Sequence, residues 1–369
     1  MMMKIGIMTF FHVYNYGAVL QAYSMQKILE DMHVENEIID FYIERQTDLT
    51  DVYSTKNGLK RFIKTLLLTP FYFERQKRKN KFIKFISELN LSNNRCHDVT
   101  DLKETNADYD CFVAGSDQIW NVTKTAEASD CYFLDFVNDE KRKISYASSI
   151  GVATYEQLLA KKDYLKRFSA LSCRESGGAN ILNQVVGRDI ATVLDPTLLV
   201  DKKYLENIVK ENTHSNYILY YSLDGYDKRN NNLEILKKLG EKLGLTIKFV
   251  TPEWPIHDFG EDVRDAGPKD FLGLIKNAAL ICTNSFHGTA LSIKLRKPFY
   301  VLEGKNIKDE RKRSILIQLG LEDRIISDVE SLSVINNIAD VEIAYEQVDE
   351  ELRKEQKSSY DYLHDALGL

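Results

Sequence analysis

The segment TNSFHGTALSIKL carries a histidine at a point where parallel α/β sheets bind their ligands. An apolar run, ALIC, precedes it and predicts a buried strand, and the residues after it have helical spacing. Thr283, Asn284 and Ser285 supply turn and capping groups, and His287 and Gly288 begin the helix. Because first-turn N–H groups have no partner within a helix, an anion is favoured there.

A proton donor beside such an anion is the chemistry that His287 offers. The alternative is a helix capped by Ser285, with His287 as a partly buried residue that has no catalytic role. Spacing alone leaves both interpretations open, and the position at the carboxyl end of a strand favours the first.

Arg174 follows another predicted strand, ALSC, and is itself followed by Glu175, Ser176 and two glycines. An arginine at a strand-to-helix turn can bind a carboxylate or a phosphate through two parallel hydrogen bonds. The alternative is a surface arginine paired with Glu175 or Asp195. This motif is weak by itself.

The segment GSDQIWN, residues 115–121, combines a glycine, a Ser116–Asp117 pair and a tryptophan. Asp117 could orient a sugar hydroxyl, and Trp120 could stack on the face of a sugar. The alternative is equally good: Asp117 caps a helix and Trp120 lies in the core.

The tight turn NYGA leads from the first strand into the first helix. Its members Asn15, Tyr16 and Gly17 are candidate substrate contacts, because a glycine lets the backbone approach a ligand closely. Helix initiation without any ligand is the alternative.

Several function classes are excluded or unsupported. The chain has no GxGxxG motif and no P-loop, and His and Cys do not cluster at metal-ligand spacing, so no cofactor and no metal are expected. A net charge of −6 argues against nucleic-acid binding through the overall field. A Cys282–His287 couple is unconvincing, since Cys282 lies in an apolar strand where a raised pKa makes a poor nucleophile.

The elements that position these groups alternate between strand and helix in both halves of 369 residues. This alternation predicts two Rossmann-like βα domains facing across a cleft. The expected domains are residues 1–205, with a basic helical insertion at about 57–90, and residues 206–340. Residues 341–369 are expected to form a helix that packs back across the domains.

Five scattered cysteines and an N-terminus without signal-peptide features predict a cytoplasmic protein. The basic segment, residues 60–84, could bring it to an anionic membrane at the periphery, or could be a solvated helix face.

Taken together and in order, several segments resemble the polysaccharide pyruvyl transferase family over about residues 4 to 325. They are NYGAVLQAYSMQKIL, FVAGSDQIWN, ISYASSIG, SCRESGGANIL, VLDPTLL, ICTNSFHGTALSIKLRKPFYVL and the helix from Arg311 to LGL. The resemblance implies a GT-B-like fold and transfer of the enolpyruvyl group of phosphoenolpyruvate to two hydroxyls of a sugar. The product would be a cyclic pyruvate ketal of a cell-surface polysaccharide.

The same resemblance implies that His287 is the general acid and that Arg174 and Arg311 bind the donor. Better-studied members have arginine two places before the histidine, whereas this chain has Ser285. Arg311, Arg313 or Lys305 is expected to supply the missing charge. The expected partners are phosphoenolpyruvate and a saccharide acceptor, with a lipid-linked acceptor left open and no nucleic acid. The alternative function is a GT-B glycosyltransferase with a nucleotide-sugar donor.

Overall fold

Short apolar strands and amphipathic helices form two α/β units in the computed structural model, which describes residues 3–43, 68–209, 216–223, 230–251, 259–303 and 310–369. Unit 1 comprises Met1–Thr50, Ile86–Asp201 and Leu352–Leu369, and unit 2 comprises Asp51–Phe85 and Lys202–Glu351.

The strands of the described ranges are β1 Lys4–Met8, β2 Glu35–Ile38, β3 Cys111–Ala114, β4 Arg142–Ser145, β5 Ser172–Cys173, β6 Ala191–Thr192, β7 Tyr217–Tyr221, β8 Thr246–Val250, β9 Glu261–Asp262, β10 Leu280–Thr283, β11 Phe299–Leu302 and β12 Ile325–Ile326. The α-helices there are α1 Tyr16–Asp31, α2 Tyr72–Ile86, α3 Val99–Glu104, α4 Val122–Thr125, α5 Ser129–Tyr132, α6 Tyr155–Leu159, α7 Lys162–Lys166, α8 Ser176–Val186, α9 Pro196–Leu199, α10 Lys202–Asn207, α11 Asn230–Leu243, α12 Pro268–Asn277, α13 Phe286–Lys294, α14 Glu310–Gln318 and α15 Tyr345–Leu367. Short 3-10 helices lie at Thr69–Phe71, Thr105–Ala107, Ala126–Ala128, Glu322–Arg324, Glu330–Val334 and Ile338–Val341.

Unit 1 is built on a parallel sheet with the strand order β2-β1-β3-β4. Ile7 of β1 lies between Ile38 on one side and Val113 on the other. An isolated parallel bridge from Ser148 to Cys173 links the segment after β4 to β5, which pairs in parallel with β6. The chain turns one way from β1 to β2 and the other way to β3, so the topological switch point lies between β1 and β3.

Unit 2 has a six-stranded parallel sheet in the order β12-β11-β10-β7-β8-β9. Counted from β7, this is the Rossmann order 3-2-1-4-5-6. Thr283 of β10 is in register with Tyr221 of β7, so these two strands end together. The switch point of this sheet therefore lies at the carboxyl ends of β7 and β10.

The basic helix α2 belongs to unit 2 through all but its last residue. Lys81 pairs with Asp270 at 2.8 Å and Lys77 pairs with Asp265 at 2.5 Å. Part of its positive charge is therefore balanced within the unit. Residues 57–67 of the predicted basic insertion lie outside the described residues.

The C-terminal helix α15 contributes to both units, with residues up to Glu351 in unit 2 and the rest in unit 1. The hydroxyl of Tyr345 donates to the carbonyl of Lys297 (2.7 Å). Ser359 Oγ accepts from the backbone N–H of Leu194 (2.9 Å). None of the helices in the described ranges has the length and apolarity that a membrane span requires.

Candidate functional site

The switch point of unit 2 is held together by hydrogen bonds between the ends of β7 and β10. Thr283 Oγ1 donates to the carbonyl of Tyr221 at 2.7 Å and accepts from the N–H of Ser285 at 3.0 Å. Asn284 Oδ1 accepts from the N–H of Leu223 at 3.0 Å. The polar turn TNS therefore fixes the start of α13 against the neighbouring strand, and the Asn284 side chain has a structural task.

His287 lies in the first turn of α13, buried beside Phe286 with the ring centroids 5.2 Å apart. Ser285 caps this helix and accepts from the N–H of Gly288, which confirms the predicted cap. A Cβ on Gly288 would approach Thr283 Oγ1 to 2.4 Å, so the close packing of helix on strand requires a glycine. Whether His287 acts as an acid remains a prediction.

Lys312 is a cation at this turn that sequence reasoning missed. Its Nζ donates to the carbonyl of Asn284 at 3.0 Å and lies 3.3 Å from a carboxylate oxygen of the buried Glu303. Its side chain is 4% exposed, whereas Arg311 on the same helix is half-buried. Helical periodicity carried the signal, because Lys312 lies three and four residues before the core positions Ile315 and Leu316.

Two other basic residues were expected to supply charge near the turn. Arg313 pairs with Glu303 at 3.1 Å, and Lys305 lies outside the described residues. Glu303 thus faces two cations of α14, and one of these cations also contacts the TNS turn.

In unit 1, Arg174 follows β5 and has a side chain that is 2% exposed. Its guanidinium donates to Asp195 Oδ2 at 2.8 Å, and a carboxylate oxygen of Glu175 lies 3.9 Å from its Nε. The alternative of a surface arginine is wrong, although its partners are the ones predicted. Burial by itself lowers the pKa of Arg174, but the charges of the neighbouring carboxylates outweigh burial and raise it.

Hydroxyl and backbone groups complete this buried network. Ser116 Oγ donates to Asp195 Oδ2 at 2.7 Å, and the N–H of Thr197 donates to Asp195 Oδ1 at 3.0 Å. Thr9 Oγ1 donates to the carbonyl of Ser116 at 2.9 Å, which ties the end of β1 to the end of β3. Ser116 and Arg174, predicted separately, therefore meet on one carboxylate.

Asp117 adopts a left-handed backbone conformation, φ 71°, and its Oδ1 accepts from the N–H of Gln118 at 2.7 Å. It does not cap a helix, so that alternative is wrong. Trp120 is fully buried and stacks on Phe133 with centroids 5.5 Å apart. Its indole N–H donates to the carbonyl of Tyr132, and the prediction that it stacks on a sugar is wrong.

The NYGA turn begins α1. Asn15 Oδ1 accepts from the N–H groups of Gly17 (2.9 Å) and Ala18 (3.3 Å), and Tyr16 is buried. The helix-initiation interpretation is confirmed for Asn15, and contact of this turn with a substrate remains a prediction.

The five cysteines are all buried and unpaired by disulfides. Burial raises the pKa of the Cys282 thiol far above its ordinary value, which confirms the prediction of a poor nucleophile. Within the parts of the chain that the structure describes, no group of three or more His, Cys, Asp or Glu side chains could hold a metal ion.

The predicted site thus falls into two clusters. Unit 1 brings together Ser116, Asp117 and Arg174, and unit 2 brings together the TNS turn, His287 and Lys312. The convergence of both clusters on one donor remains a prediction.

The fold places the chain in a known structural class. It is similar over 99% of its length to UDP-N-acetylglucosamine 2-epimerase from Rickettsia bellii, with a TM-score of 0.52, 13% identity and 98% of that chain covered. It is similar to UDP-GlcNAc 2-epimerase from Methanocaldococcus jannaschii in complex with UDP-GlcNAc and UDP, with a TM-score of 0.50, 14% identity and 99% of both chains covered.

An α-glucosyltransferase in complex with UDP and a 13-mer DNA is also similar, with a TM-score of 0.52, 8% identity and coverage of 99% of this chain and 95% of that one. At such identities the likeness shows the fold alone. The chain has a GT-B fold built from two Rossmann-like α/β units, as its sequence predicts.

The family follows from the sequence. None of the curated proteins compared with this chain matches it significantly. The family description "Polysaccharide pyruvyl transferase" matches residues 15–306, which include every member of both clusters except Lys312. The chain belongs to the polysaccharide pyruvyl transferase family, so the predicted family is confirmed.

Proposed function

We propose that this protein transfers the enolpyruvyl group of phosphoenolpyruvate to two hydroxyls of a saccharide, forming a cyclic pyruvate ketal and releasing phosphate. One observation carries the proposal: His287 lies in the first turn of α13 at the switch point of unit 2, in a chain of this family. Ligands of open α/β sheets bind at such points.

The donor carries a phosphate and a carboxylate, so its site needs fixed positive charge. The proposal assigns the N-terminus of α13, Arg311 and Arg174 to this task. Lys312 adds a buried cation beside the TNS turn, where it is paired with Glu303 at 3.3 Å. A helix N-terminus contributes about half a unit of positive charge.

The chemistry then needs one acid and two nucleophilic hydroxyls. The imidazolium of His287 gives its proton to the methylene carbon of the donor, which becomes a methyl group. The oxygen of one hydroxyl bonds to the central carbon and loses its proton, and the C–O bond to phosphate breaks. The second hydroxyl adds to the same carbon and loses its proton, which closes the ketal.

Protonation of His287 depends on the donor. A helix N-terminus disfavours a cation, whereas a donor with two or more negative charges favours it, and the larger charge at similar range prevails. His287 would therefore act as an acid mainly after the donor has bound.

Phosphate release tests the reaction. Purified protein, phosphoenolpyruvate and a panel of candidate glycans should release phosphate in step with a glycan product whose mass matches a pyruvate ketal. Thermal-shift measurements with phosphoenolpyruvate and with nucleotide-sugars separate this function from glycosyl transfer, because only the true donor stabilises the folded protein. Stabilisation by a nucleotide-sugar alone would overturn the proposal.

His287→Gln tests the acid. The variant should lose turnover by about 10²–10⁴-fold, the usual contribution of a positioned acid, and still bind phosphoenolpyruvate in calorimetry. His364→Gln is the matched control, since His364 is an exposed histidine of α15 and should turn over normally. Normal turnover by His287→Gln would remove this residue from the mechanism.

A further inference from the structure

A second histidine lies at the carboxyl edge of the unit 1 sheet, and the mechanism proposed above gives it no role. His12 is in the loop after β1, and Asp40 is two residues beyond the end of β2, the neighbour of β1 on the side away from β3. His12 Nε2 lies 2.5 Å from Asp40 Oδ1. The two neighbouring strands thus bring an imidazole and a carboxylate into direct contact.

Asp40 is held from its other side as well. Arg95 Nε donates to Asp40 Oδ2 at 3.0 Å, and the backbone N–H of Asp40 donates to Ser92 Oγ at 2.9 Å. Burial raises the pKa of Asp40, but the hydrogen bonds and charges of His12 and Arg95 outweigh burial and lower it. Asp40 is therefore a carboxylate at neutral pH, and it accepts a hydrogen bond from Nε2–H.

This contact determines which ring nitrogen is basic. When Nε2 carries its proton toward a carboxylate, the neutral imidazole keeps its lone pair on Nδ1. The ring is also fixed by packing. Its centroid lies 4.1 Å from the centroid of the Phe11 ring and 5.7 Å from that of the Tyr42 ring, which it meets edge to face. These contacts orient the ring. Because its side chain is still 13% exposed, the ring is accessible to a small group.

We propose that His12, oriented by Asp40, removes the proton from the attacking hydroxyl of the saccharide acceptor. This inference rests on the proposed function, because it assigns the base that the attack on the donor requires. The O–H bond of the acceptor breaks, its proton passes to Nδ1, and its oxygen bonds to the central carbon of the donor. Asp40 stabilises the imidazolium that forms.

A structural ion pair is the competing explanation, since His12 and Asp40 also join the loops after β1 and β2. The two explanations differ in what a variant loses. A structural pair supports folding, and with it the binding of any ligand, whereas a base affects turnover and leaves donor binding intact.

The experiment compares His12→Gln and Asp40→Asn with His97→Gln, a matched control. His97 is an exposed histidine that contacts Tyr42, 5.7 Å between ring centroids, and it is not among the hydrogen-bond partners of Asp40 described above. We expect His12→Gln to lower kcat by about 10²–10⁴-fold, with the calorimetric Kd for phosphoenolpyruvate unchanged. Asp40→Asn should lower kcat by a smaller factor, and His97→Gln should leave it unchanged.

Normal kcat in His12→Gln overturns the inference, as does a parallel loss of donor binding and kcat. His12→Asn takes the place of His12→Gln if the longer amide prevents folding. If the wild type releases no phosphate with any acceptor, the proposed function fails, and a separate readout still tests the pair. That readout is the ¹⁵N spectrum of histidine-labelled protein.

In that spectrum, wild-type His12 should have its proton on Nε2, and Asp40→Asn should give a mixture of tautomers. An unchanged His12 signal in Asp40→Asn shows that Asp40 does not orient the ring and overturns the inference without reference to turnover. The His12 signal is assigned by its absence from His12→Gln.

Discussion

The switch points of the two units share an architecture and differ in their charges. In each, a threonine hydroxyl donates to a backbone carbonyl of the adjacent strand segment: Thr9 to Ser116 in unit 1 and Thr283 to Tyr221 in unit 2. Around this shared link, unit 1 holds Arg174 among buried carboxylates, whereas unit 2 holds an imidazole at a helix N-terminus.

The carboxyl edges of the two sheets therefore offer different groups to a ligand. Unit 1 places carboxylates and hydroxyls beside Arg174, groups that can hydrogen-bond to sugar hydroxyls, and Arg174 itself is already paired with Asp195. Unit 2 offers the N-terminus of α13, which favours an anion, and Lys312, which is itself paired with Glu303 at 3.3 Å. For the proposed function, we therefore expect the N-terminus of α13 to balance more of the donor's negative charge than Arg174 or Lys312, since both of these side chains are already paired.

The largest expected effect comes from breaking the buried ion pair of unit 1. Asp195→Asn should lower the free energy of unfolding by about 3–5 kcal/mol, because it leaves the Arg174 charge buried without its nearest partner. Glu303→Gln is the matched change in unit 2, because it leaves the buried Lys312 without its carboxylate. It should cost less, since Lys312 lies 3.3 Å from Glu303, a longer contact than the 2.8 Å between Arg174 and Asp195. Urea unfolding midpoints measure both, and equal losses would contradict the contrast.

Donor affinity sharpens the comparison further. Arg174→Lys keeps the charge that Asp195 requires and removes the planar pair of donors, so it should weaken phosphoenolpyruvate binding about tenfold if Arg174 contacts the donor. Lys312→Arg, which also keeps its charge, is the matched variant in unit 2. Calorimetry gives both affinities, and an unchanged affinity in Arg174→Lys would remove this residue from the donor site.

A smaller effect is expected from the two glycines at these edges. A methyl group on Gly288 would lie 2.4 Å from Thr283 Oγ1, whereas one on Gly115 would lie 3.0 Å from the Cβ of Thr9. Gly288→Ala should cost about 1–3 kcal/mol through overpacking, and Gly115→Ala should cost less. Thermal denaturation ranks the two variants, and the reverse order would show that the unit 2 turn is the more adaptable one.

The smallest effect is a pH dependence of stability that arises from Asp40 in unit 1. Because the pKa of Asp40 is lower folded than unfolded, its contribution to stability is present above the ordinary value of 3.8 and is lost as the pH falls through the folded value. The difference in urea midpoint between wild type and Asp40→Asn should therefore shrink from pH about 7 to about 3. A constant difference would show that the carboxylate charge of Asp40 does not contribute.

Local pattern was sufficient to predict the helix cap at Ser285 and the strand before it, because both depend on residues close in sequence. It was insufficient for Trp120 and Asp117, whose surroundings are set by distant segments. Lys312 shows an intermediate case. Its helix face was predictable from the spacing to Ile315 and Leu316, but its contact with Asn284 depends on how α14 packs against the TNS turn.

The sequence by itself determined the family and the alternation of strands and helices, since apolar periodicity and short ordered motifs are local properties of the chain. Only the tertiary structure decided which side chains pair with one another, such as Arg174 with Asp195 and His12 with Asp40. The physical reason is that burial and Coulomb attraction depend on distances in space. Parallel strands bring together residues that lie tens of positions apart in the chain.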